Sequence, residues 1–408
     1  MLIYLIALLF FASCSQKQAI HSINLFSPEK SEVTLSEIAD SIAYYPIFLE
    51  KGSLIPNHIE LLTNTIWVSY YLKDLSEQKG RLFNRINGHL LNQMSLGPII
   101  NKKKYAFSGY YTNSYFIFNN EEWLSTPPAP KSKSNHYTIN AVTGKEVEAI
   151  PFSIRDIKSQ NPQRINDSTF LVLTDLIGIR TENTVRPNYS IQWYDTQMQL
   201  IKEDHFTDSV YLINRLKIIS LLKDKIYIHA DCTSTIYELS RDKKPVPIYQ
   251  YFLGEYKPSI AQNGKLLATG NFKMYYSSPY YNLRSSMIAE KFVFGAFDYK
   301  GNIYNILYNR NTEKTWIIPT QGKSDILSYP YKEGVKNDLD GGLDFWPRNI
   351  SKQGEIYTWY NIEDLKAKVS QSNPKQMKNP EAARRLKEML NNLPEEVNYV
   401  IAVLKEKN

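Results

Sequence analysis

A short pattern recurs five times along this chain and constrains its fold more than any other feature. Each copy is an apolar run that ends in Asn, Asp or Glu, followed by a turn and one more strand-like run. The copies are Leu82-Phe83-Asn84, Thr138-Ile139-Asn140, Trp193-Tyr194-Asp195, Ile236-Tyr237-Glu238 and Leu307-Tyr308-Asn309. With the polar residue as marker, the spacings are 56, 55, 43 and 71 residues. A companion half-unit recurs as turns at Asn64, Asn113, Asn166-Asp167, Lys223-Asp224, Asn263-Gly264 and Gln353-Gly354, each before strand-like residues. Asn263-Gly264 is the strongest of these turn signals, because both central positions of a type I′ turn need positive φ. Many short strands joined by hairpins predict an all-β fold. A loose period near fifty predicts a propeller rather than a sandwich. Residues 41–364 divided by that period give about six blades of four strands.

Both ends of the chain break the rhythm. In residues 33–48, VTLSEIADSIAYYPIF, Thr34 and Glu37 stand at capping-box spacing and predict one helical turn with Leu35, Ile38 and Ala39 on its apolar face. A strand is expected from Ser41. Near the other end, Asn379 and Pro380 predict a helix N-terminus. Leu386, Met389, Leu390 and Leu393 give that helix one apolar face, and Pro394 ends it. The run 398–404, NYVIAVL, then reads as a strand that completes a blade or covers its edge. The expected division is a signal peptide at 1–13, an N-terminal lead at 14–40, and a six-bladed propeller at 41–408 that includes the C-terminal helix and closing strand.

An apolar run over residues 2–12 is too short to span a bilayer and suits a signal-peptide core. It stops at Phe11-Ala12-Ser13-Cys14, and small residues before a cysteine resemble a bacterial lipobox, with the Cys14 thiol as the acylated group. Here Phe11 stands where Leu is usual, and a plain secretory signal with an incidental cysteine is the other reading. The expected location is the cell envelope, lipid-anchored to a membrane. If Cys14 carries lipid, Cys232, the second of two cysteines, has no partner for a disulfide. It reads as a packing residue beside the strand-like run 225–230. Net charge is +7 with scattered basic residues. The densest cluster, Lys102-Lys103-Lys104, reads as a solvated loop, and nucleic-acid binding is set aside.

The sequence holds no GxSxG, GxxxxGK[ST] or GxGxxG motif and no HxxxH or HExxH pair among its six His. No cofactor and no metal site is therefore expected. His229, inside a strand run, reads as a satisfied core histidine. Asp338, Asp340 and Asp344 with Gly341-Gly342 resemble part of a calcium loop, but they lack the regular spacing and the following Glu. They read instead as a Gly-bearing turn that enters a strand at Phe345-Trp346. The richer set is aromatic, in a chain with 30 Tyr. Residues 271–289 look like an insertion bearing Tyr275, Tyr276, Tyr280, Tyr281 and Arg284, and Trp123 stands beside Glu121-Glu122 in an expected loop. Residues 176–190 lengthen a second connection, and loops on a rigid propeller are where binding groups gather. Sugars stack their C–H faces on such rings, although the same rings serve to cover blade ends against water.

Residues 35–47 (LSEIADSIAYYPI), 224–239 (DKIYIHADCTSTIYEL), 338–351 (DLDGGLDFWPRNIS) and 386–408 together resemble the six-bladed, TolB-like β-propeller lipoproteins of Bacteroidetes. Two departures are plain: Pro46 is followed by Ile47-Phe48 where the family has Leu-Glu, and a Gly-Pro-Gly-Glu-Tyr-like loop is reduced to Leu96-Gly97-Pro98. The resemblance implies a cell-envelope lipoprotein that binds a glycan, peptide or protein partner. The expected function is a non-catalytic binding propeller, with Tyr275, Tyr276, Tyr280, Tyr281, Arg284, Trp123, Asp344 and Trp346 as ligand-binding residues. The alternative is a glycoside hydrolase or lyase that uses carboxylates such as Asp340 or Asp344.

Overall fold

The protein is represented by a computed structural model. It describes residues 19–49, 56, 58–71, 77–98, 114–118, 121–126, 137–140, 146–148, 163–166, 169–175, 189–195, 199–206, 217–230, 233–240, 244–258, 277–323 and 333–407. Its first two strands are β1 (His21–Asn24) and β2 (Ala39–Ile47). Five sheets then follow in chain order. Sheet one is β3 (His58–Leu61), β4 (Thr65–Tyr71), β5 (Glu77–Asn84) and β6 (Leu90–Pro98). Sheet two is β7 (Ser114–Phe118), β8 (Glu121–Thr126), β9 (Tyr137–Asn140) and β10 (Glu146–Glu148). Sheet three is β11 (Gln163–Asn166), β12 (Thr169–Asp175), β13 (Tyr189–Tyr194) and β14 (Leu200–Phe206). Sheet four is β15 (Lys217–Leu222), β16 (Lys225–Ala230), β17 (Thr235–Leu239) and β18 (Pro245–Phe252), with β1 added on the edge of β18. Sheet five is β19 (Asn282–Ile288), β20 (Phe292–Tyr299), β21 (Asn302–Asn309) and β22 (Thr315–Lys323).

The last sheet joins the two ends of the chain. Its order is β23 (Asn349–Ile350), β24 (Ile356–Asn361), β25 (Tyr399–Glu406) and β2. Strand β25 lies antiparallel between β24 and β2, with Ala402 opposite both Thr358 and Tyr44. Residues 399–404 are thereby flanked by a strand on each side, which ties the end of the chain to its beginning. Two helices run between β24 and β25. Helix α1 is Leu35–Ile38, α2 is Ile362–Gln371 and α3 is Pro380–Asn391. In α3 the Asn379 side chain accepts from the Ala382 amide, with Pro380 in the first turn. Helices α2 and α3 pack Leu365, Val369, Leu386 and Leu390 on Val400 of β25.

Apolar residues are buried between sheets rather than within one. Leu171, Trp193 and Ile228 join sheets three and four. Ile248, Tyr251, Val293 and Ile306 join four and five, and Phe294, Leu307, Ile356 and Leu404 join five and the last sheet. Ile47, Ile59, Val68, Tyr357 and Ile401 join the last sheet to sheet one. The first strands of neighbouring sheets touch: β7 with β11, β15 with β19, and β19 with β23. Successive four-stranded antiparallel sheets that pack face to face, with their first strands innermost, make an all-β propeller.

Strand alternation sorts every connection onto one of two faces. Turns between first and second strands, and between third and fourth, lie on what we term the lower face. Turns between second and third strands, and crossings to the next sheet, lie on the upper face. The five repeated motifs fall on the third strands β5, β9, β13, β17 and β21, at their lower ends. Asn84 Oδ1 accepts from the amides of Ile86 and Asn87, Asp195 Oδ1 from Gln199, and Asn309 Oδ1 from Asn311 and Thr312. In these three copies the polar end-marker is the side chain that builds the following turn.

Several expectations are corrected here. Thr34 makes no side-chain cap on α1. Asp338 does so from across the molecule, its Oδ1 accepting from the Ser36 amide at 2.8 Å and its Oδ2 from the Ser36 hydroxyl at 2.6 Å. Strand β2 begins at Ala39, two residues before Ser41. The 14–40 lead supplies an edge strand to sheet four, with Ile23 and Leu25 buried. Helix α2 has no counterpart in the sequence reading. Residues 282–288 of the expected insertion are strand β19, and Trp123 lies in strand β8 rather than a loop. Phe345 makes only an isolated bridge to Val335, and the strand itself starts at Asn349. The turns at Asn113 and Asn263-Gly264, Cys14, Cys232 and residues 1–13 lie outside the described residues.

Candidate functional site

Two of the predicted residues meet others that the sequence kept apart, on the upper face where sheet four crosses to sheet five. Tyr281 stacks on Tyr256 with ring centroids 4.6 Å apart and planes 12° from parallel. Its edge meets Tyr299 at 5.0 Å, and it leans on Phe297 at 4.4 Å. Phe297 in turn stacks on Tyr304 at 5.1 Å. Tyr256, Tyr280, Tyr281, Tyr299 and Tyr304 are all half-buried, so the group is neither core nor free rim. Burial and the neighbouring phenols Tyr256, Tyr299 and Tyr304 push the Tyr281 hydroxyl up to about 12. The Tyr281 ring therefore presents a neutral phenol at any physiological pH.

Local chemistry fixes the shelf. Lys300 and Gly301 both have positive φ, 48° and 79°, which forms the tight turn from β20 into β21 and sets Tyr299 near Tyr304. The Lys300 amide donates to the Ser278 carbonyl at 3.0 Å, and the Tyr281 amide donates to the Tyr256 carbonyl at 3.0 Å. Asn282 Nδ2 donates to Ser278 Oγ at 2.8 Å. Three chain segments are thereby held together before any ligand arrives. The Lys300 ammonium stands 4.9 Å over the Tyr299 ring, a cation beside aromatic faces. Beneath them Arg284 is committed to Asp298 in a two-pronged pair, Nε to Oδ2 at 3.0 Å and Nη2 to Oδ1 at 2.8 Å. The Asp298 side chain is 2% exposed and that of Arg284 19%, so Arg284 braces β19 on β20 rather than offering a free cation.

The other predicted residues are placed elsewhere. Trp346 is 3% exposed and meets Phe294 edge-on at 5.4 Å, inside the core between sheet five and the last sheet. Asp344 Oδ1 accepts from the Asn337 amide at 3.3 Å in the loop before β23. Asp340, 2% exposed, accepts from Tyr44 Oη, Asn337 Nδ2 and the Gly342 amide. Burial raises its pKa despite those donors. With Asp338 on Ser36, and the Lys378 and Asn379 amides donating to the Asp338 and Leu339 carbonyls, this acidic loop is a clasp. It binds the N-terminal lead, β2 and α3 to one another. Among the described residues no cluster of three His, Cys, Asp or Glu stands as a metal site. Tyr275, Tyr276 and the side chain of Trp123 lie outside what is described. The shelf residues the sequence did not single out are Tyr256, Tyr299 and Tyr304. Their available signal was the Lys300-Gly301 turn flanked by tyrosines.

Comparison with known proteins supports the fold. Residues 297–371 match the family described as a domain of unknown function (DUF4933). That segment runs from the end of β20 through the clasp to α2. No curated protein sequence matches the chain. Among solved structures, the chain is similar to a Bacteroides fragilis protein described as exported, at 15% identity and a TM-score of 0.59, covering 96% of this chain and 100% of that one. It is also similar to a DUF4221 family member from Bacteroides vulgatus, at 12% identity and a TM-score of 0.49, covering 93% and 100%. TolB from Acinetobacter baumannii follows at 11% identity and a TM-score of 0.36, covering 72% and 62%. The first of these likenesses is one of fold. Among the described residues no helix is long and apolar enough to cross a membrane.

Proposed function

We propose that this protein is an exported, lipid-anchored propeller of the cell envelope that binds a glycan, or a protein partner, without transforming it. In this reading its six sheets are the six blades of one ring, supported by the unbroken series of apolar contacts from sheet three through the last sheet to sheet one. Cys14 is the acylated residue, and the exported description of the Bacteroides fragilis structural relative is in keeping with that address. The observation that carries the binding role is the braced tyrosine shelf. Stacked but half-exposed rings, fixed by backbone hydrogen bonds, offer flat apolar faces and phenol donors at low entropic cost. A sugar's C–H face and hydroxyls complement that combination.

The hydrolase or lyase reading draws less support, because Asp340 is consumed by the clasp and Asp298 by Arg284. The test is titration of the full chain against a panel of polysaccharides, with binding and new reducing ends followed together. Binding without products, weakened at least tenfold in Tyr256→Ala/Tyr299→Ala, is the expected result. New reducing ends would reverse the assignment in favour of an enzyme.

A further inference from the structure

The direction of the first strand orients the whole molecule with respect to any anchor upstream of it. Strand β1 runs parallel to β18, pairing His21 with Tyr249 and Asn24 with Phe252. As the fourth strand of its sheet, β18 runs from the lower face to the upper. The chain therefore meets the propeller at its lower face, where His21 Nδ1 sits 2.8 Å from Glu313 in the turn between β21 and β22. Five residues lie between Cys14 and Ile20, a reach of at most about 20 Å. The chain upstream of β1 thus leaves towards the lower side, so an anchor at Cys14 sets the lower face nearer the bilayer.

A second observation picks out the same face. Among the described residues, the large exposed aliphatic side chains are Ile20, Ile86, Leu90, Leu91, Leu200 and Ile201. Every one stands at the lower end of its strand or in a lower turn. Ile86, 88% exposed, caps the turn between β5 and β6; Leu90 and Leu91 open β6, Leu200 and Ile201 open β14, and Ile20 precedes β1. The exposed phenylalanines Phe26, Phe48 and Phe252 lie at the upper ends instead. Exposed Lys244 and Lys314 stand in lower turns of sheets four and five, where cations suit anionic headgroups.

We propose that the lower face is a membrane-docking surface, with the aliphatic side chains of sheets one and three entering the headgroup layer. The tyrosine shelf is then held away from the bilayer. This rests on the anchor at Cys14 for the tether, whereas the aliphatic arc stands without it.

The test is hydrogen exchange of the full chain with and without vesicles of phosphatidylethanolamine containing a quarter phosphatidylglycerol, alongside the intact mass of its N-terminal peptide. Protection on vesicles should appear at residues 85–91 and 199–201 and be absent at 299–304. Ile86→Asp/Leu200→Asp, confined to exposed positions, should weaken vesicle partition at least tenfold. Protection at 299–304 without protection at 85–91 overturns the proposal, as does partition unchanged by the double substitution. The peptide mass separately reports acylation. If acyl chains are missing, protection of 85–91 by added vesicles still supports the docking surface, and its absence refutes it.

Discussion

His229 shows how completely a polar side chain can be absorbed by this fold. It is 1% exposed; its Nδ1 accepts from the Ser286 amide at 2.8 Å and its Nε2 donates to the Thr233 carbonyl at 3.1 Å. Both nitrogens are used by a neutral ring, and burial holds its pKa down to about 4. Above the unfolded value of 6.5 this contribution is complete. As pH falls from 6.5 towards 4 the unfolded chain takes a proton that the folded one refuses, so stability drops by about 3 kcal/mol over that window. Urea melts at pH 7 and pH 4.5 check this: His229→Gln should flatten the fall, and an equal fall in both proteins contradicts it. The histidine's role was legible because a strand-embedded His in an apolar run has few alternatives. Asn84, Asp195 and Asn309 were legible for a similar reason, since their side chains act within three or four residues of themselves. Trp346, Asp340 and Arg284 were not. Their partners Phe294, Tyr44 and Asp298 are set by sheet packing and register, which local sequence does not encode.

At the scale of elements, ring closure rests on β25, which hydrogen-bonds to β2 and β24 along its length. The sequence showed this strand through an unbroken apolar run after Pro394. It did not show that α1 needs Asp338, nor that β1 extends sheet four, because both depend on residues more than two hundred positions away. Helix α2 was equally hidden, since its apolar Ile362, Leu365 and Val369 follow a strand without a break. A chain ended at Lys378 removes α3 and β25 together. Hydrogen exchange of that chain should show β2 and β24 losing protection, accompanied or followed by sheet one, which shares the cluster of Ile47, Tyr357 and Ile401. Retained protection of β2 and β24 would mean that the ring closes by other means.

On the scale of the whole molecule, the two faces are built differently. The lower face is sewn by polar pairs between sheets: Arg85 with Glu355, Lys223 with Glu290, and the Lys223 amide with the Lys352 carbonyl. It also carries the exposed aliphatic arc and receives the N-terminal segment. The upper face carries the tyrosine shelf and the crossings between sheets. One measurement bears on this division most directly. Hydroxyl-radical footprinting of the full chain on vesicles oxidises exposed Leu, Ile and Tyr side chains together, before and after addition of a bound polysaccharide. The account predicts that vesicles shield Ile86, Leu90 and Leu200 and leave Tyr256 and Tyr299 reactive until the polysaccharide covers them. Shielding of both tyrosines by vesicles alone, with Ile86 still oxidised, would contradict it.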